Sequence, residues 1–209
     1  MPPKAKFTRE QIIKAAVDVT REQGISAVTA REVGKQLGTS STPVFVAFES
    51  MSDLKQEVYN SVKNDFYHFL CLGLEQTPAF KGFGIRMIEY AREYPNLFAA
   101  VHMNFTADNI NYDDMTTNML GADECVEAIK RQTGFSDEDA VRMFRQVLIS
   151  GFGICYLVSS KTCEFTQQQL DEYLGVAYAG SLMAIKKGNM QQYHIHPSRE
   201  ETNDRKTEE

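Results

Sequence analysis

Residues 29–48 read TAREVGKQLGTSSTPVFVAF. Thr29 followed by Glu32 is the spacing of a reciprocal capping box, in which each residue satisfies an orphan backbone donor at a helix start. Ala30, Val33 and Leu37 then fall on one face at helical spacing. Gly38 stops this helix, because a residue without Cβ enters the left-handed region at little cost. The short hydroxyl side chains of Thr39, Ser40, Ser41 and Thr42 supply the next cap, and Pro43 fits the first turn, where its missing N–H is no loss. Val44 and Phe48, one turn apart, point back to a core and leave small polar residues facing outward. The pattern predicts a helix-turn-helix, whose second helix has the dimensions to enter a DNA major groove.

The flanks fit the same reading. A helix is expected from the capping box Thr8–Gln11 to the stop at Gly24, with Ile12, Ile13, Ala16, Val17 and Val19 as its apolar stripe. Another begins at Ser50, capped with Asp53. In the residues TREQIIKAAVDVTREQG at 8–24, the T-x-R-E-V-G-x-x-L-G stretch at 29–38, S-x-x-x-V-F-x-x-F at 40–48 and S-D-L at 52–54, the chain resembles the tetracycline-repressor (TetR) family over about residues 7 to 65. Past residue 70 the resemblance is one of architecture alone. It implies an all-α fold: an N-terminal three-helix helix-turn-helix domain, then a helical domain for ligand binding and dimerisation. It further implies a sequence-specific, DNA-binding transcriptional regulator, a repressor released from double-stranded operator DNA by a small-molecule effector.

Carried over by position, the resemblance implies DNA contacts from Lys6, Thr29, Arg31, Thr39, Ser40, Ser41, Thr42, Pro43, Phe45 and Val46. Arg31 falls where family members place a base-reading arginine, and bidentate pairing to guanine is chemistry that arginine does better than lysine. A solvated surface charge is the other reading of the same residue. Phe45 stands where these proteins carry a phosphate-binding tyrosine, and Met51 where they carry a lysine. With Val46 and Ala47 beside them, the recognition surface leans on apolar contact, such as thymine methyls, and on main-chain donors.

Charge divides along the chain. Residues 1–48 hold seven Lys or Arg against four acidic residues, a balance of +3, so with −6 overall the rest carries −9. A basic head suits phosphate contacts and an acidic body is held off the duplex. Four cysteines, at positions 71, 125, 155 and 163, show neither metal spacing nor a paired framework and read as small buried hydrophobes. No apolar run approaches the roughly 18 residues of a membrane span, the longest being VLISGFGICYLV at 147–158. The N-terminal residues lack an apolar signal core, so a cytoplasmic protein without a membrane partner is expected.

From Ser50 onward only helices are expected: to about Gln76, Ala79–Tyr94, Pro95–Asn104, about Met115 to Thr133, Ser136 to about Lys161, and Thr166–Lys187 with Gly188 as its stop. The domains are then 1–49 for DNA binding, 50–188 for ligand binding and dimerisation, and a mobile polar tail at 189–209. Phe144, Val147, Gly151, Ile154 and Val158, with Leu170, Leu174, Ala177, Ser181 and Ala184, form stripes at three- and four-residue steps. In the family the equivalent helices meet their two-fold copy as a four-helix bundle, which implies a homodimer; burial inside one subunit is the alternative. The middle of the chain is rich in aromatics and Met, and Phe66, Tyr90, Phe98, His102 and Met103 are the candidates for holding an apolar small molecule, or else ordinary core. His194 and His196 lack companion ligands, so no metal site and no cofactor are expected. No catalytic motif stands out, which argues against an enzyme. A helical interaction protein with weakened or lost DNA binding is the competing reading, suggested by Phe45 and Met51.

Overall fold

Hydroxyl side chains cap helix starts at Thr8, Thr29, Ser50, Ser136 and Thr166. In the computed structural model, which describes residues 7–75, 79–103, 116 and 119–188, the first helix, α1 (Arg9–Gln23), opens on the expected box. The Gln11 amide donates to the Thr8 hydroxyl at 3.3 Å, and the Thr8 amide donates to the Gln11 side chain at 2.8 Å. Ile12, Ala15, Ala16 and Val19 turn inward. Buried Thr20 satisfies its hydroxyl by donating to the Ala16 carbonyl at 2.8 Å. A 3₁₀ turn, Ile25–Ala27, leads into α2 (Ala30–Gln36).

The start of α2 departs from expectation. The Glu32 amide donates to the Thr29 hydroxyl at 3.2 Å, but the return bond of the box is not formed, because the Glu32 carboxylate turns to Lys35 at 3.5 Å. Gly38, at φ 68°, ends the helix as read from the sequence. The next helix, α3 (Thr42–Ala47), is six residues long, and its orphan amide is met by Ser40, which accepts from the Thr42 amide at 3.4 Å. Between α2 and α3 the turn folds back so tightly that a Cβ on Gly34 would sit 2.6 Å from the Ser40 carbonyl oxygen.

Helix α4 (Met51–Cys71) starts on the Ser50–Asp53 box and gives way to a 3₁₀ turn, Leu72–Glu75, short of the expected end. Then come α5 (Ala79–Glu93), α6 (Pro95–His102), α7 (Ala122–Thr133), α8 (Asp137–Ser159) and α9 (Gln167–Lys187). Helix α7 opens at Gly121, in the left-handed region at φ 85°, later than the expected start near Met115: Thr116 and Leu120 lie in turns. Met115 itself lies outside the described residues, as does Asn104, the expected end of α6. Lys6, His194, His196 and residues 189–209 as a whole also lie outside them.

One continuous core runs from Ile12 on α1 to Ile185 on α9. Helix α1 lies against both α4 and α6, α5 packs among α4, α7 and α8, and α8 pairs with α9. The α8–α9 stripe expected for dimerisation is largely this intramolecular seam: Phe144, Val147, Gly151, Ile154, Leu170 and Leu174 are buried within the chain, while Val158, Ala177, Ser181 and Ala184 are half-buried. The apolar side chains that α8 and α9 present outward are others: Ile149, Tyr156, Tyr173, Val176 and Met183. Among the described residues α8 is also the one helix long and apolar enough to cross a membrane, a property missed by counting uninterrupted runs. Here its inner face packs against α5, α7 and α9.

The close approach at Gly34 makes the position intolerant of a side chain. Gly34→Ala adds a methyl against main chain that cannot rotate away, so unfolding free energy is expected to fall by about 1–3 kcal/mol, seen as a lower urea midpoint at unchanged slope. An unaltered midpoint would mean that the turn relaxes freely.

Candidate nucleic-acid interface and ligand chamber

Helix α3 is too short to hold itself together, so its neighbours set its orientation. Val44 and Phe48 are buried, which leaves Phe45 at 63% and Val46 at 71% exposure on the outer side. Thr29, Arg31, Ser40 and Thr42 are exposed on the same hairpin, and Thr39, Ser41 and Pro43 are half-buried. Thr29 and Ser40 already use their hydroxyls as backbone caps, and the Ser40 hydroxyl also donates to Thr42 Oγ1 at 3.2 Å.

The positive charge of the head is largely neutralised locally. Asp18 pairs with both Lys14 and Arg21 at 3.0 Å, and Lys35 pairs with Glu32. Arg9 donates to the Ala47 carbonyl at 2.9 Å and to Glu57 at 2.8 Å, with its guanidinium 4.1 Å from the Phe48 ring centre. Arg31 has no ion-pair partner among the described residues. Of the head's cations in that range, Arg31 is the one left fully available to a nucleic acid.

Behind the head, α4, α6 and α8 surround a chamber of about 360 Å³. Phe98, His102 and Met103 line it as anticipated, joined by Tyr67, Met119, Leu148, Phe152 and Tyr156. Phe66 and Tyr90 do not reach the lining. Phe66 is wholly buried behind it, its ring 4.8 Å from His102 and 5.1 Å from Tyr90. The contributions of Phe152 and Tyr156 were hidden in the sequence, because α8 lies far from α6 along the chain and meets it only in the fold.

His102 sits within an aromatic cage, 4.7 Å from Phe98 and 5.0 Å from Phe152. Its Nε2 is buried with no hydrogen-bond partner among the described residues, as is the Tyr90 hydroxyl. Burial, aided by the Lys63 charge, pushes the imidazole pKa down to about 4. Burial likewise pushes the Tyr67 phenol up to about 12. At neutral pH both groups are uncharged, so the chamber offers aromatic walls and neutral hydrogen-bonding atoms. Among the described residues no group of three or more His, Cys, Asp or Glu is placed to hold a metal ion. Cys125 and Cys155 are buried thiols with raised pKa values, whereas Cys163 is exposed in the α8–α9 connection, contrary to the expected burial.

The imidazole makes stability depend on pH with a definite sign. In the unfolded chain it binds a proton below about 6.5, and in the folded chain it resists doing so until about 4. Stability from burying it neutral is therefore complete above the unfolded value and lost as pH falls through this window. The expected loss from about pH 7 to about pH 5 is roughly 2 kcal/mol, and His102→Leu should flatten that slope in urea titrations. An equally steep profile in the variant would assign the pH dependence to other groups.

Comparison with known proteins bears on both halves. Residues 12–58 match the family model described as bacterial regulatory proteins, tetR family. No curated protein matches the chain significantly. In fold the chain is similar to SmeT, the repressor of the Stenotrophomonas maltophilia multidrug efflux pump SmeDEF. The two are 16% identical and superpose with a TM-score of 0.51 over 86% of this chain and 91% of that one. Residues 12–58 thus carry the helix-turn-helix that the tetR family model describes, and the all-helical body behind it shares its fold with SmeT.

Proposed function

We propose that the protein is a homodimeric repressor that reads a two-fold operator through α2 and α3 and is released by a small uncharged molecule in the His102 chamber. The observation that carries the DNA reading is the pair Phe45 and Val46, held outward on α3 by the burial of Val44 and Phe48. Large apolar side chains exposed on a small polar head mark a contact surface, and thymine methyls are the apolar feature of a major groove. Arg31 adds the charged, guanine-matching group. Thr29, Thr39, Ser40, Ser41, Thr42 and Pro43 supply backbone-level contacts, and Lys6, outside the described residues, adds a positive charge. In this reading residues 1–49 form the head, 50–188 the regulatory and dimerisation body and 189–209 a tail, in a cytoplasmic protein.

Dimerisation is assigned to the outward face of α8 and α9, where Tyr156, Tyr173, Val176 and Met183 are each more than half exposed. A two-fold axis through that face pairs two heads at one DNA turn, roughly 34 Å apart. The similarity to a repressor in the solved structure SmeT supports repression as the direction of control.

Release needs a path from chamber to head, and α6 supplies one. Its C-terminal end carries Phe98 and His102 into the chamber, while at its N-terminal end Asn96 donates to the Arg21 carbonyl on α1 at 3.0 Å. Helix α4 supplies a parallel path, from Tyr67 in the chamber to Glu57 at Arg9. An occupant that spreads α6 from α8 displaces α1, and the bound head with it. Such a ligand works only through a difference in affinity between the two head spacings.

The DNA reading is tested by gel shift with duplex from upstream of the coding sequence. Arg31→Ala should weaken specific binding by about 1–3 kcal/mol while sparing random DNA. Equal losses on both would make Arg31 a phosphate contact, and the absence of any shift with the unaltered chain would favour a helical interaction protein.

A further inference from the structure

A second cavity, of about 390 Å³, lies in the seam where α5, α8 and α9 meet. Its lining shares only Leu148 with the His102 chamber. The walls are apolar: Phe80, Phe83 and Met87 from α5, Val147 from α8 and Leu174 from α9. Three glycines, one on each helix, also border it. A Cβ built on Gly84 or Gly175 would meet no atom within 4 Å, whereas one on Gly151 would strike the Met87 methyl at 2.5 Å. The space thus exists because α5, α8 and α9 present no side chain at these points, and at Gly151 the flexible end of Met87 takes up part of the room.

Protein interiors are normally packed without voids of this size, and water occupies a space only where two or more polar groups receive it. Here polar groups are confined to the rim. The Tyr178 hydroxyl donates to the Gln132 side chain at 3.0 Å, and Lys81 pairs with Asp171 at 3.2 Å. The two rim charges cancel, so neither a cation nor an anion is favoured at the mouth. Volume falls within the range of small-molecule sites. We infer that this seam is a second ligand site, distinct from the His102 chamber, for a neutral and mainly apolar small molecule with one hydrogen-bonding group seated at Tyr178 and Gln132.

The test uses the full chain and two fluorescent probes on one skeleton: uncharged N-phenyl-1-naphthylamine, and 1-anilinonaphthalene-8-sulfonate, which adds an anionic group. The neutral probe should bind at least tenfold more tightly than the sulfonate. Gly84→Leu and Leu174→Trp, which fill the seam from two sides, should each weaken the neutral probe at least tenfold or remove one bound probe per chain. Met103→Trp, which fills the other chamber, should leave that seam-bound probe in place. Gly84→Leu places its side chain in free space, so the test holds even if Leu174→Trp fails to fold. Undiminished binding in folded Gly84→Leu, loss confined to Met103→Trp, or tighter binding of the sulfonate would each overturn the proposal. Operator release is not read in this assay, so its failure would leave the effector reading of the His102 chamber intact.

Discussion

Arg9 holds the reading helix in place. Its guanidinium donates to the last carbonyl of α3, at Ala47, and to Glu57 on α4, and it sits over the Phe48 ring. A six-residue helix has little stability of its own, since nucleation costs more than so few bonds return. Its geometry is therefore borrowed from these contacts and from the burial of Val44 and Phe48. The exposed Arg9–Glu57 ion pair contributes little by itself. The value of Arg9 lies in direction, because one planar group ties α1, α3 and α4 together, and any displacement of α1 or α4 is passed to the exposed residues of α3.

That constraint gives the rest of the body its meaning. Helix α6 spans only Pro95–His102, yet it touches the head at Asn96 and the chamber at His102. A short rigid element loaded at one end and tied at the other moves as a unit. Neutral His102, caged by aromatic rings, keeps a buried charge out of the chamber. Close-packed α5 and α8 on the far side give α6 something to push against.

The sequence was most legible where the physics is local. The boxes at Thr8, Ser50 and Thr166 involve partners three residues apart, and each stands as spaced in the chain. Thr29 shows the limit of the same rule: a nearby lysine competes for the Glu32 carboxylate, and the box is only half made. The exposed hairpin residues could be read because Val44 and Phe48 fix which side of α3 looks inward. On α8 and α9 no such anchor existed. Both faces carry apolar residues at helical spacing, and only the packing of the two helices decides that Phe144 and Leu174 go in while Tyr156 and Val176 stay out. The chamber was half legible for a similar reason, since Phe98, His102 and Met103 lie close together in the sequence but Phe152 and Tyr156 reach it from another helix. The need for glycine at position 34 was invisible, because its neighbour is the backbone of a turn that the sequence does not describe in three dimensions.

The most direct measurement is reciprocal titration. A ligand found by thermal shift, and lost on filling the His102 chamber, is titrated into the protein with and without operator duplex. Linkage requires operator DNA to weaken ligand binding by the same factor by which the ligand weakens operator binding, commonly about 5–150-fold. Matching factors in that range are the expected result. Identical ligand affinity with and without operator would contradict the coupling of chamber to head, however tightly the ligand bound.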